Sequence, residues 1–182
     1  KDSVPAKFGF TEQYFVSDLK TKNQQTRALA VFYQSTGGKK HVISHELEVV
    51  DFYQKEKTEV FITFGNNYGI GIITSYNIEG NFFGSSVGIC DSPISSSCRI
   101  SEDDFLFSND KIISLVNSDN FIVRNIVSLP DSIIKMTYNE IDNQLFVATP
   151  STIYLFSYPA FEEIYSYKPR ETIKGIDLRY GY

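Results

Sequence analysis

Residues 84–88, Gly84-Ser85-Ser86-Val87-Gly88, spell the G-x-S-x-G pattern of a serine nucleophile elbow. That chemistry needs the central serine on a sharp strand-to-helix turn, with an acid and then a histidine later in the chain. A Pro/Ser loop follows Ser86, and both histidines, His41 and His45, precede it. The pentapeptide therefore reads as a Ser/Gly turn. His41 and His45 stand four apart, a spacing that on a helix would aim two rings at one metal ion. The H-E-x-x-H zinc pattern would need its second histidine where Val49 stands. On a strand the two Cα atoms lie about 13 Å apart, too far to share an ion. Gly69 and Gly71 suggest a phosphate-binding glycine loop, but Thr74 occupies the third glycine position and no helical pattern follows. They read instead as glycines within a strand, at a bulge or a close approach. No metal and no cofactor is expected.

Carboxylates cluster in turn-like stretches: 101–104 (SEDD), 117–120 (NSDN) and 139–143 (NEIDN). Calcium wants six or more oxygens. None of these clusters has the ligand spacing of a known calcium loop, and Asp and Asn are ordinary hairpin-turn residues. Asp103, Asp104 and Glu140 are the candidates for glycan hydrolysis, which requires two carboxyl groups roughly 5–9 Å apart. Tyr154, Tyr158, Tyr165 and Tyr167, with Tyr180 and Tyr182 beyond them, are dense enough to form a contact surface, since tyrosine offers large area at low entropic cost. Packing between sheets is the competing role for them. Cys90 and Cys98 flank a Pro/Ser stretch, and a loop-closing disulfide is sterically reasonable there. Such a bond suits a secreted or cell-surface protein, whereas reduced thiols suit the cytoplasm. The eleven asparagines form no Asn-x-Ser/Thr sequon, which argues against a glycosylated ectodomain.

The elements that must position these groups are strands. Phe (15) and Tyr (12) are abundant beside many Ile and Val, a composition that fits pleated, half-buried surfaces. From Ser132 to Lys168, apolar runs of about five residues alternate with turn residues: Asp142-Asn143, Pro150-Ser151, then Pro159-Ala160. This predicts a four-stranded antiparallel meander. Its third strand, 152–158 (TIYLFSY), is apolar on both faces, so the sheet must lie between two others. A repeat of about 40 residues carries Leu106-Phe107 onto Leu145-Phe146, Ile113 and Leu115 onto Ile153 and Leu155, and Phe121 onto Phe161. The same offset carries Ser132-Ile133 onto Thr172-Ile173. Upstream the repeat is weaker, with one strand pair turning at Asn66-Asn67 and another at Gly37-Gly38, about 30 residues apart and short for a full unit. His45, Leu47 and Val49 alternate with Glu46 and Glu48, which fits a strand better than the helical spacing of Leu47, Val50 and Gln54.

Four-stranded units recurring near 40 residues resemble β-propeller blades in the generic sense. The Trp-Asp dipeptide of WD40 repeats and the double glycine of kelch repeats are missing. The expected fold is all-β, a single repeat domain over 1–182 with about four propeller blades, the clearest at about 99–131 and 132–170. Residues 171–182 open or close a further blade, and a β-sandwich is the alternative. Six or seven blades need a longer chain, so the ring is either a compact four-bladed one or is completed by another chain, with oligomerisation as one route. The chain begins at Lys1, which reads as a processed or excised product.

A net charge of −5 with scattered Lys and Arg excludes nucleic acid as the main partner, and no apolar run reaches the roughly 20 residues of a membrane span. The functional expectation is a non-enzymatic binding or scaffold module presenting loops to a protein or glycan. A structural subunit of a larger assembly is the alternative, and a glycan hydrolase ranks below both.

Overall fold

The computed structural model describes residues 3–10, 14–21, 27–33, 36, 39–45, 47–55, 58, 60–77 and 82–176. Its elements are all strands. The first eight are β1 (Ser3–Phe10), β2 (Tyr14–Thr21), β3 (Arg27–Tyr33), β4 (Lys39–His45), β5 (Glu48–Gln54), β6 (Val60–Asn67), β7 (Ile70–Asn77) and β8 (Phe82–Cys90). The remainder are β9 (Ile94–Arg99), β10 (Asp104–Asn109), β11 (Ile112–Asn117), β12 (Val123–Ser128), β13 (Lys135–Asn139), β14 (Gln144–Ala148), β15 (Ile153–Ser157) and β16 (Glu163–Tyr167). They form four four-stranded sheets, each with its strands in sequence order, and no helix is present among the described residues. The chain divides into two compact units, residues 1–68 with 72–87, and residues 69–71 with 88–182.

The first unit corrects the sequence reading in four places. The strand pair flanking Gly37-Gly38, expected in a unit short for a full repeat, is β3 and β4, the last two strands of a four-stranded sheet. With β1 and β2, which the residue pattern did not reveal, that sheet is complete and not truncated; the Gly37-Gly38 turn itself lies outside the described residues. The strand expected through His45, Leu47 and Val49 is divided, β4 ending at His45 and β5 starting at Glu48. The hairpin expected at Asn66-Asn67 turns instead at Tyr68-Gly69, where φ is 48° and 82°. A two-residue turn matched to strand twist needs φ > 0 at both central positions, and glycine meets that at the second. Ser86, expected in a turn, lies within β8, its hydroxyl 3.0 Å from that of Thr74 on β7.

In the second unit the sheets β9–β12 and β13–β16 pack against each other. Leu106, Ile113, Met136, Leu145 and Val147, each no more than 1% exposed, form the centre of their shared core. The clearest repeat, expected from about residue 99, begins earlier, because the serine stretch 95–97 is part of strand β9 and not a loop. Polar serines can occupy a core strand there because they are paired. The Ser95 and Ser108 hydroxyls lie 2.9 Å apart, and the Ser96 hydroxyl accepts a hydrogen bond from the Met136 amide at 3.0 Å. That last bond ties the two sheets together directly.

The two sheets share their local devices at positions forty residues apart. The Ser118 amide donates to the Asp103 carbonyl as the Tyr158 amide does to that of Asn143. Phe121 (φ 57°) donates to Asn117, and Phe161 (φ 56°) donates to Ser157. The left-handed backbone is unusual for a bulky residue, and in both turns this hydrogen bond holds it.

Gly71 on β7 is a close approach, as the strand-glycine reading expects. A Cβ there would collide with the Cys90 Sγ and stand 2.7 Å from Ile94 Cγ1. Gly71→Ala is expected to lower stability in urea unfolding by about 1–3 kcal/mol. Adding Cys90→Ala should restore part of that loss, as expected for residues in direct contact.

Candidate interaction surface

The turns after β9, β11, β13 and β15 gather at one end of the second unit, because in a meander the first and third turns fall on the same side. Several of their polar residues are engaged internally. Asp104 accepts from the Ser101 hydroxyl at 3.2 Å and from the Asn117 side-chain amide at 2.9 Å. Asn117 Oδ1 in turn accepts from the backbone of Asp119 and Asn120. Asn139 donates to Asp142 at 2.8 Å and accepts from the Ile141 amide at 3.0 Å. These are Asx-type turns, in which the side chain replaces a missing backbone partner. The acidic stretches thus shape the turns, and among the described residues no three His, Cys, Asp or Glu side chains gather in a way that would hold a metal.

Around these turns sits an aromatic cluster. Tyr158 packs edge-on against Tyr138 and against Phe161, with ring centroids 5.5 Å apart in both pairs. The Tyr138 hydroxyl donates to Asn143 Oδ1 at 2.9 Å. Burial raises both phenols above the ordinary tyrosine value of 10.0, aided at Tyr138 by the charges of Tyr158 and Glu140. At Tyr158 the Asp104 carboxylate raises it further, while Arg124 opposes. Beside the cluster two isoleucines stand out from their turns, Ile122 at 68% exposure and Ile141 at 75%.

The four tyrosines expected to share one surface are divided. Tyr154 is buried in the core between the sheets, stacked on Phe156, and offers no contact area. Tyr158 belongs to the turn cluster. Tyr165 and Tyr167 alone form an exposed pair, on the outermost strand β16, at 61% and 52%. Strand alternation explains the division: Tyr154 pairs with Ser166 across the ladder, whereas Tyr165 and Tyr167 pair with Leu155 and Ile153, which face the other way. The sequence reading missed Tyr138, Phe161, Ile122 and Ile141. The signal for the isoleucines was available, since Ile141 interrupts an Asp/Asn turn and Ile122 stands two residues after one, rather than continuing a strand's alternation.

The expected disulfide is not formed. Cys90 and Cys98 are free thiols. The stretch between them is not a closed loop. It contains β9, and four residues of strand carry Cys98 about 13 Å beyond Ile94, far beyond disulfide reach. Cys98 enters the core, and Cys90 donates to the Ser92 carbonyl at 3.2 Å. The disulfide argument for a secreted or cell-surface location goes with it. No helix among the described residues is long and apolar enough to cross a membrane.

Comparison with protein-family models finds no match, and comparison with curated proteins finds none either.

Two measurements check this site. Alkylation under denaturing, non-reducing conditions should add two labels per chain. In the folded protein Cys90 should react slowly at neutral pH, because burial raises its thiol above the ordinary 9.0 despite the Ser92 and Gly71 backbone bonds, leaving little thiolate. A raised folded-state tyrosine value means the neutral phenol is favoured by the fold. That contribution is intact below pH 10 and is lost as pH rises through the folded values. Urea unfolding should therefore show stability falling above about pH 10, with the decline flattened in Tyr138→Phe and Tyr158→Phe.

Proposed function

We propose that the chain is a run of β-propeller blades working as a non-enzymatic binding module that grips a protein partner with its turn end. The fold part of this reading is supported by four successive four-stranded meanders and by turn hydrogen bonds recurring forty residues apart in the last two. The observation that carries the function is the pair of exposed isoleucines, Ile122 and Ile141, beside the Tyr138–Tyr158–Phe161 cluster. Aliphatic tips flanking aromatic rings suit the apolar centre of a protein interface.

The polar groups favour a protein over a glycan partner. A glycan needs side chains left over to bind its hydroxyls, and here Asn143, Asp142, Asn139 and Asp104 already have partners within the turns.

The test places a photo-crosslinking amino acid at Ile122 or Ile141, with Lys111 in a turn at the opposite end as control. Irradiation in extract of the source cells should give discrete adducts with another protein from the two isoleucine positions and none from Lys111. Adducts from Lys111 alone, or a glycan array on which the chain binds and Tyr158→Ala does not, would overturn the reading.

A further inference from the structure

The two ends of the second unit differ in charge. One end carries the turns 100–103, 118–122, 140–143 and 158–162, which follow β9, β11, β13 and β15. These turns hold Glu102, Asp103, Asp119, Glu140, Asp142 and Glu162, and no lysine or arginine. In the flanking strands Asp104 and Glu163 are offset by Arg99 and Arg124, so the acidic excess stands. The other end carries 91–93, 110–111, 129–134, 149–152 and the stretch from 168 to 176. There Asp91, Asp110, Asp131 and Glu171 are matched by Lys111, Lys168, Arg170 and Lys174. The charge is gathered at one end only.

Turn geometry accounts for part of this. Short Asp and Asn side chains shape turns by bonding to groups nearby in the chain, and Asp104 and Asp142 are hydrogen-bonded in this way. Glutamate is one methylene longer and is not a turn-shaping residue. Glu102, Glu140 and Glu162 are exposed, and their side chains make no hydrogen bond or ion pair among the described residues. Like charges without cations between them repel one another. The fold of these turns gains nothing from the three glutamates.

They stand instead among the exposed apolar groups. Glu140 directly precedes Ile141, and Glu162 directly follows Phe161 of the aromatic cluster. Ile122 and Glu162 occupy matched places forty residues apart, each after a left-handed Phe that closes the same kind of turn. We propose that the partner gripped by this end is a protein presenting a basic segment, its apolar side chains meeting Ile122 and Ile141 and its lysines or arginines meeting Glu102, Glu140 and Glu162. The inference rests on the turn end being the binding surface and names the chemistry of what binds there. Isoleucines supply the water-excluding centre of such a contact, and carboxylates supply a rim that speeds encounter and selects for positive charge.

The experiment irradiates the full chain, with the photo-crosslinking residue at Ile122 or Ile141, in extract at about 0.1 M and about 1 M salt. Over that range the screening length falls from about 10 Å to about 3 Å. Adduct yield should fall at least about fivefold, whereas a contact made by apolar groups alone does not weaken with screening. At the lower salt, Glu102→Gln, Glu140→Gln and Glu162→Gln together should lower the yield at least about fivefold, with unchanged far-UV circular dichroism. Glu140→Gln alone should lower it about twofold, and Glu171→Gln, which removes the same charge from the other end, should leave it unchanged. Peptide mapping should place the crosslink in a partner segment with more Lys and Arg than Asp and Glu. Adducts indifferent to both salt and the triple variant, or mapping to an acidic segment, would overturn the basic partner and leave the turn-end reading standing. No adduct from either isoleucine position would overturn both.

Discussion

A strand whose side chains are apolar in both directions sets a demand that its own sheet cannot meet. Alternation sends successive residues to opposite faces, so such a sheet exposes hydrophobic area to water unless it is covered on both sides. Strand β10 shows the demand at full strength: Phe105, Leu106 and Phe107 are consecutive and each no more than 1% exposed. One side of that sheet is covered by β13–β16 through Leu145, Val147 and Met136. The buried bond from the Met136 amide to Ser96 holds the two sheets in register, because leaving either group unpaired in the core would cost about 1–3 kcal/mol. The stacking of sheets and the inward position of Tyr154 and Cys98 follow from this requirement.

The turns solve the complementary problem. A two-sided core leaves the strand ends as the places where backbone groups lose their ladder partners. Asn117, Asn139 and Asp104 supply those partners from side chains, and the left-handed residues Phe121 and Phe161 close the loops between the last two strands of each sheet. With these side chains shaping the turns, the groups that stand out from them are aliphatic, Ile122 and Ile141, beside the Tyr138–Tyr158–Phe161 cluster.

The second half of the fold was legible in the sequence because its signals were local and repeated. Pro150-Ser151 and Asp142-Asn143 marked turns, and the spacing of Leu106, Ile113 and Phe121 against Leu145, Ile153 and Phe161 marked a recurring sheet. The first half was harder to read, since β1 and β2 contain Lys, Asp, Ser and Thr in patterns that lack clean alternation. The serines of β9 misled for a physical reason: hydroxyls normally mark loops, but Ser95 and Ser96 are satisfied by Ser108 and the Met136 amide and so sit within a strand. The disulfide expectation failed for the same reason, because strand extension separates Cys90 from Cys98. At the surface, residue type alone named the right tyrosines at 165 and 167. It could not separate them from Tyr154, whose direction is fixed by ladder register.

The central claim is that equivalent positions forty residues apart are fully buried in one sheet and half-buried in the next. Truncating the matched pair Ile113 and Ile153 tests it most directly, by urea unfolding at high dilution. Ile113→Ala removes a fully buried side chain and should cost about 2–5 kcal/mol, whereas Ile153→Ala, at a half-buried position, should cost less by about 1 kcal/mol or more. Equal losses at the two positions would show that Ile153 is as fully covered as Ile113, and would contradict the account.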